Sequence, residues 1–392
     1  MERVDCVIAG CGPAGAVLGL LMARAGLRVT VVEKHGDFLR DFRGDTIHAS
    51  TLTLLDELGL GDEFARLDQQ RVTEVRVSAG DREWPLADFR RLPGRHREIV
   101  LMPQWDFLDF ITRHAAAYPG FRLVMETEAT GLIVEQGQVT GLTGAGETMP
   151  ATLTVAADGR RSTVRQAARL PVRTYDAPMD VLWFRLSRRE SDTASTAGRV
   201  APGRLLIRID RGEYWQAGYV IEKGGYERLR AAGLAAFRAD LATLGPALAD
   251  RVGELSSWSD VSVLDVRVDR LRRWHRPGLL CIGDAAHAMS PVGGVGINLA
   301  VQDAVAAANL LVRPLRTGTL SERDLARVQR RRTLPTAVTQ AGQRAIHRRI
   351  VAPLLDGGAD PPPVRVLERF PALQAIPAYL LAIGIRPEHV RT

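Results

Sequence analysis

Three groups of residues have the types and spacing that chemistry needs. The first is GCGPAG, which places Gly10, Gly12 and Gly15 in GxGxxG spacing around Pro13 and Ala14, with Glu33 and Lys34 further on. Gly10 permits a tight turn, Gly12 lets a pyrophosphate approach the backbone, and Gly15 lets the following helix pack close to the strand before it. A diphosphate then meets the N-terminus of that helix, and a carboxylate about 20 residues on takes a ribose hydroxyl. The pattern predicts an adenine dinucleotide; the alternative is a glycine turn in an unrelated α/β unit. The second group is Asp158 and Gly159, followed by Arg160. The third is Gly283, Asp284 and Pro291, leading into Gly293, Gly294, Gly296, Ile297 and Asn298. Its glycines leave backbone N–H groups open at a helix start, a place for an electron-rich ligand edge, or form only a flexible loop.

The elements that position these residues follow from periodicity. Residues 6–9 and 28–32 are apolar runs bounded by glycine, hence buried strands, with a small-residue helix at 16–25 between them. A helix is predicted at 50–58 after a loop that carries Arg43, whose fork suits a phosphate oxygen as well as ordinary solvent. Gln104 opens a helix at 105–117, as a cofactor contact or a plain helix-start residue. Strands are expected at 72–79 and 83–86 around a turn, and at 123–127, 129–135, 138–143 and 148–157. The last of these runs into Asp158 and Gly159, and Ser162 is set to cap the next helix. Further strands at 181–186, 205–209 and 215–221 precede a helix at 229–244. Trp183, Tyr214, Trp215 and Tyr219 there line a pocket or fill a sheet core. A strand at 278–282 leads to the third group and to a helix at 299–311. Beyond Pro314 an arginine-rich helical stretch reaches about 351. Residues 364–385 then carry Leu367, Phe370, Leu373, Ile376, Tyr379, Leu380 and Ile383 as a stripe expected to dock on the body.

Composition narrows the class. The 392 residues, 46% of them hydrophobic, suffice for two domains or one large one. The net charge of +7 comes almost wholly from scattered arginines, because lysine stands only at 34 and 223. No zinc, helix-turn-helix or RNA-binding signature accompanies them, so nucleic acid is not an expected partner. A mild attraction for phosphate-bearing cofactors is. Cys6, Cys11 and Cys281 lack metal-ligand spacing and read as buried fillers. No leader and no uninterrupted bilayer-length apolar run is evident, so the expectation is a cytoplasmic enzyme without stable membrane insertion.

Together the three groups resemble the class A flavin-dependent monooxygenases of the para-hydroxybenzoate hydroxylase type, over almost the whole chain. The resemblance implies an α/β fold. In it a Rossmann-like FAD-binding domain at 1–72, 98–175 and 270–345 is interleaved with an antiparallel-sheet substrate-binding domain at 73–97 and 176–269. A C-terminal helical segment takes 346–392. By the same resemblance Gly10, Gly12, Pro13, Ala14 and Gly15 hold the FAD diphosphate, and Glu33, with Lys34 beside it, the adenosine ribose. Arg43 and Gln104 become FAD contacts. Asp158 and Gly159 serve FAD and the nicotinamide nucleotide, Gly283 and Asp284 the ribityl and diphosphate region. Pro291 lies beside the flavin ring, and N–H groups of 294–298 face its pyrimidine edge.

The implied activity is oxygen insertion. NADPH or NADH reduces FAD, dioxygen gives a flavin hydroperoxide, and one oxygen atom passes to an aromatic or polycyclic small molecule. The flavin carries that chemistry, so no catalytic base is assigned; His48 and His287 are acid–base candidates by chemistry, and packed or loop-ordering histidines on the reading favoured for both. The chain stops short of a thioredoxin-like tail and lacks the WxWxIP of flavin halogenases. Two other readings stay open: an FAD-dependent reductase of the same fold, geranylgeranyl reductase-like and indifferent to dioxygen, and a flavin-binding protein without turnover.

Overall fold

The computed structural model describes residues 2–39, 46–79, 82–192, 197–357 and 364–391. Its centre is a sheet whose main path runs His275–Arg276, Leu279–Cys281, Glu147–Ala156, Val4–Ala9, Val29–Val32 and Phe121–Val124. The last five run parallel, and Cys6, Val7, Ile8 and Ala9 are fully buried, as expected of a strand covered on both faces. Ala129–Glu135 and Gln138–Gly144 extend Glu147–Ala156 as an antiparallel meander. Helix Pro13–Arg24 packs against helices Gln104–Ala116 and Gly296–Arg316. Gly19 makes the seating on the sheet possible, since a Cβ there would come within 2.9 Å of Val31 and Phe121.

A second sheet of seven strands runs in the order Ser262–Leu264, Met179–Ser187, Tyr214–Glu222, Arg204–Asp210, Ala197–Ala201, Glu74–Ala79, Arg82–Asp88. It unites two distant chain segments through one parallel contact, Gly198 opposite Val77. The joining strand, AGRVA, was not anticipated, because alanine and glycine carry little strand preference and its pairing is non-local.

Other boundaries also moved. The helix expected at 229–244 is two helices, Tyr226–Ala232 and Leu234–Leu244, broken where Gly233 takes φ 92°. That expected at 299–311 runs Gly296–Arg316 and includes Pro314. Thr46–Ile47, Ile99–Leu101 and Gln70–Val72 form a small sheet of their own.

The C-terminal stripe corrects an expectation. Helix Ala375–Ala382 docks through Ala378 and Ala382 against Ala49, Ala87 and Phe89, while Phe370, Leu373, Ile376, Tyr379 and Leu380 are exposed. The small side chains allow the close approach, so the large ones face outward. Among the described residues one helix, Val292–Arg316, is long and apolar enough to cross a membrane, and 83% of its apolar window is buried inside the protein.

Candidate active site

The three groups meet because four parallel strands end level. Ala9 is in register with Val32 on one side and Ala156 on the other, and Ala156 with Cys281. The bonds Gly10 N–H to Val32 O, Ala157 N–H to Ala9 O and Ile282 N–H to Ala156 O extend that ladder by one step. Glu33, Gly10, Asp158 and Gly283 therefore leave the same edge of the sheet, at the carboxyl ends of its strands, where open α/β sheets bind ligands.

The first loop is shaped by its own backbone. Gly10 adopts φ +93°, and a Cβ there would stand 2.6 Å from the Ala157 carbonyl oxygen. A Cβ at Gly15 would collide with the Gly10 carbonyl, so strand and helix touch backbone to backbone. Gly12 is different: nothing lies within 4 Å of its Cβ position. It stands at the N-cap of helix Pro13–Arg24, and no side chain caps that helix. Glu33 is buried; its Oε2 accepts from Cys11 N–H at 3.0 Å and its Oε1 from His35 N–H at 3.3 Å. The carboxylate thus braces the glycine loop.

Ala14 is buried against Gly283, where a Cβ would come within 3.1 Å of the Ala14 methyl, so its side chain joins two motifs. Lys34 is exposed and Gln104 half-buried at the head of its helix. Arg43 lies outside the described residues.

The second and third groups are linked by an ion pair, Arg160 Nη2 to Asp284 Oδ2 at 3.2 Å. Asp158 Oδ2 accepts from Val164 N–H at 3.1 Å, and Ser162 caps the helix Thr163–Ala167 as expected. Burial pushes the Asp158 carboxyl above its ordinary value, against hydrogen bonds from Ser162 and nearby N–H groups. Its Oδ1 is buried without a partner among the described residues, as is Arg160 Nη1. Both atoms are orphans at the mouth of the sheet.

The third group is held from behind by side chains the sequence reading passed over. Asp303 is fully buried; its Oδ2 accepts from Gly283 N–H at 3.0 Å and meets His287 Nε2 at 2.5 Å, and its Oδ1 accepts from Arg332 Nε at 2.9 Å. Burial would raise its carboxyl, but His287 and Arg332 outweigh burial and hold it below the usual range. His287 is a structural partner of Asp303. Gln343 clamps the Pro291 loop three times, accepting from Ser290 N–H and donating to the Ser290 and Val292 carbonyls. The available signal was Gln302 and Asp303 interrupting an alanine-rich apolar helix.

His48 joins the glycine loop to the C-terminal helix, with Nε2 3.1 Å from the Gly294 carbonyl and Nδ1 2.6 Å from that of Leu381. Burial lowers its pKa against those two bonds. Gly293 and Gly294 take positive φ, and Cβ atoms there would meet Leu381 and Thr46; Gly296 faces open space. Asn298 turns its side chain away to Ser50 and Thr51, and Ile297 is buried, which leaves only their backbone for a ligand.

Residues 3–341 match the family described as FAD binding domain. A relative from Streptomyces rimosus, 6-methylpretetramide 4-monooxygenase, is 38% identical over 338 residues, covering 84% of this chain and 80% of its own. The chain belongs to the class A flavin-dependent monooxygenases. A second relative, the 12-dehydrotetracycline 5-monooxygenase/anhydrotetracycline 6-monooxygenase of the same species, is 30% identical over 330 residues, 77% of this chain and 61% of the relative. Among solved structures, the anhydrotetracycline hydroxylase OxyS of S. rimosus superposes with TM-score 0.77 at 23% identity, over 98% of this chain and 77% of that one. The enzyme is thus an FAD-dependent oxidoreductase of the para-hydroxybenzoate hydroxylase fold.

The residues present fit FAD. An uncapped helix start beside open space at Gly12, a buried acid at Glu33, and orphaned donor and acceptor atoms at Arg160 and Asp158 suit a diphosphate bearing ribose and ribityl hydroxyls. One face of the second sheet is covered in part by Val351 and Leu355. On the face that carries Val181, Leu205 and Val220, Trp183 lies over Gly218, where a Cβ would be 2.8 Å from the indole, and that face packs toward Val292, next to Pro291. Trp215 and Tyr219, two of the four aromatics expected to line a pocket or a core, point to the other face and pack on Phe237 and neighbouring core residues; strand alternation separates them from Trp183.

The three cysteines are free and buried, and burial pushes their thiols well above the ordinary range, so they are inert fillers.

Proposed function

We propose that this enzyme inserts one atom of dioxygen into a flat, multi-ring aromatic small molecule, with NADPH or NADH as reductant. The observation that carries the reading is the apolar cluster on the second sheet that takes in Val292, next to Pro291, with Trp183 over Gly218 and the partly buried Leu205 and Ile207 beside it. A planar ligand stacks on such a surface. The names of the two relatives, both monooxygenases, support the same class.

When bound, FAD accepts hydride and activates dioxygen. The chain's own part is positional. Gly10, Gly12, Pro13, Ala14 and Gly15 hold the diphosphate, with Glu33 on the ribose and Lys34, Arg43 and Gln104 at its flanks. Asp158, Gly159, Gly283 and Asp284 take the polar middle of the cofactor. The backbone of Gly294, Gly296, Ile297 and Asn298 faces the ring edge, where a helix N-terminus stabilises negative charge. Pro291 and Val292 close one side against water, and the sheet face orients the substrate. On this reading 1–72, 98–175 and 270–345 act as the cofactor domain, 73–97 and 176–269 as the substrate domain, and 346–392 as a C-terminal helical segment.

The test is turnover under 18O2 with a panel of polycyclic phenols, followed by mass spectrometry. The expected product is heavier by one labelled oxygen atom. Equal turnover without oxygen, and no label, would replace the reading with a reductase.

A further inference from the structure

Three guanidinium groups converge on one tyrosine away from the cofactor loops. Arg344 Cζ lies 4.4 Å from the centroid of the Tyr175 ring, Arg173 Cζ 5.1 Å and Arg270 Cζ 6.0 Å. Arg270 Nη2 also donates to the Tyr175 hydroxyl at 3.1 Å. Strand pairing forces two of them together. Val172–Tyr175 runs antiparallel to Val268–Leu271, and Arg173 stands directly opposite Arg270. Like charges at that position repel.

A ring face attracts cations, which accounts for one arginine more readily than for three. None of the three has a carboxylate partner among the described residues. The nearby acids do not supply one: Asp269 is taken by Arg165 and by Ala288 N–H, and Asp176 is exposed and without a partner among the described residues. Arg267 is paired with Asp265, and Arg348 donates to the Arg344 carbonyl, at 3.4 Å. The arrangement is a cluster of positive charge without a carboxylate counter-ion among the described residues.

Its place in the fold ties it to the site. Asp269 and Leu271 donate their N–H groups to the carbonyls of Ala288 and Ala286, so the arginine-bearing strand lies along the segment that follows Asp284. Arg344 adjoins Gln343, the clamp on the Pro291 loop. We propose that Arg173, Arg270 and Arg344, gathered on Tyr175, bind a phosphate group, and that its source is the phosphomonoester of a phosphorylated dinucleotide; that source rests on the nicotinamide-dependent reading above. Planar guanidinium forks match the oxygens of a phosphate dianion. An adenosine 2′-phosphate is present in NADPH and missing from NADH, so the site would set the choice between them.

The experiment is calorimetric titration of the oxidised, FAD-loaded protein at low salt with NADP+, NAD+ and inorganic pyrophosphate, for wild type and for Arg173→Gln/Arg344→Gln. NADP+ is already oxidised, so no electron transfer intrudes. Expected is NADP+ binding at least about tenfold tighter than NAD+, a preference lost in the double variant and weakened by added salt. Pyrophosphate binding that the variant abolishes, with NADP+ no better than NAD+, keeps the phosphate site and assigns its ligand to a free anion. Binding of all three that the variant leaves unchanged overturns the proposal. Arg173→Gln alone, at the exposed end of the cluster, serves if the double variant loses FAD. Failure of oxygen insertion would appear in the 18O2 experiment and leave these titrations intact.

Discussion

The two glycine loops of this enzyme, at 10–15 and at 293–296, are built in opposite ways. In the first, Gly10 and Gly15 meet backbone of the strand-turn-helix unit itself and of the adjacent Ala157, and only Gly12 is open. In the second, Gly293 and Gly294 meet Leu381 and Thr46, and the carbonyl of Gly294 faces His48. The Pro291 loop just before it hangs on Gln343, and the Gly283 turn on Asp303. One loop is shaped by backbone, its own unit's and that of Ala157 beside it, the other by side chains brought from far along the chain. A local loop tolerates damage elsewhere; a distributed one inherits it.

Substitutions test that contrast. Asp303→Asn should be the most damaging, since it removes the buried carboxylate that His287 and Arg332 share and leaves Arg332 only its longer contact with Glu388, at a cost of about 3–5 kcal/mol in urea unfolding. The same variant carries a pH signature. The folded-state carboxyl of Asp303 is depressed, so its contribution is present above the unfolded value, about 3.9, and is lost as pH falls through the folded one. Unfolding of wild type measured from pH 7 down to 3 should show that loss, and Asp303→Asn should lack it. An equal acid slope in both would remove Asp303 from the account.

Gln343→Leu should cost about 1–3 kcal/mol by leaving the Ser290 and Val292 carbonyls unmet. Hydrogen exchange should speed up at 290–294 and stay unchanged at 10–15; acceleration in both loops would contradict the separation drawn here. Gly15→Ala should cost about 1–3 kcal/mol from overpacking against the Gly10 carbonyl, more than the roughly 1 kcal/mol that alanine adds as a helix former. A thermal melt that rises would refute it. Gly12→Val should leave the melting of the apoprotein within about 0.5 kcal/mol of wild type, because its Cβ meets nothing, and yet abolish FAD retention. A yellow, fully loaded Gly12→Val protein would show that the diphosphate does not lie there.

The same contrast explains what the sequence disclosed. Gly12, Gly15 and Glu33 were legible because their roles depend on residues within one strand-turn-helix-strand unit, and Gly10 by its place in that unit although its closest approach is to Ala157. Asp158 and Asp284 stood out by motif, but the Arg160–Asp284 ion pair that links their two loops needed two strands to end level. Asp303, Arg332, Gln343 and His48 were not legible as a group. Each is an unremarkable polar residue whose partner lies 16 to 333 positions away. The C-terminal stripe misled for a related reason: periodicity tells that a helix has an apolar face, and the space available decided that alanines would meet the body. The strand Ala197–Ala201 had no apolar period to read at all, and its partners specified it.

The network around Asp303 also bears on synthesis. Arg332, which holds that carboxylate, is itself tied to Glu388, and Gln302 accepts the Glu388 N–H. Domains tend to fold from the N-terminus as the chain emerges, so the glycine turn at 10–15 can form its strand and helix early. The Gly283 turn cannot be fully braced until residue 388 has left the ribosome. During translation the turn at 10–15 is therefore set before the Gly283 turn, whose bracing through Asp303 and Arg332 waits on Glu388, far along the chain.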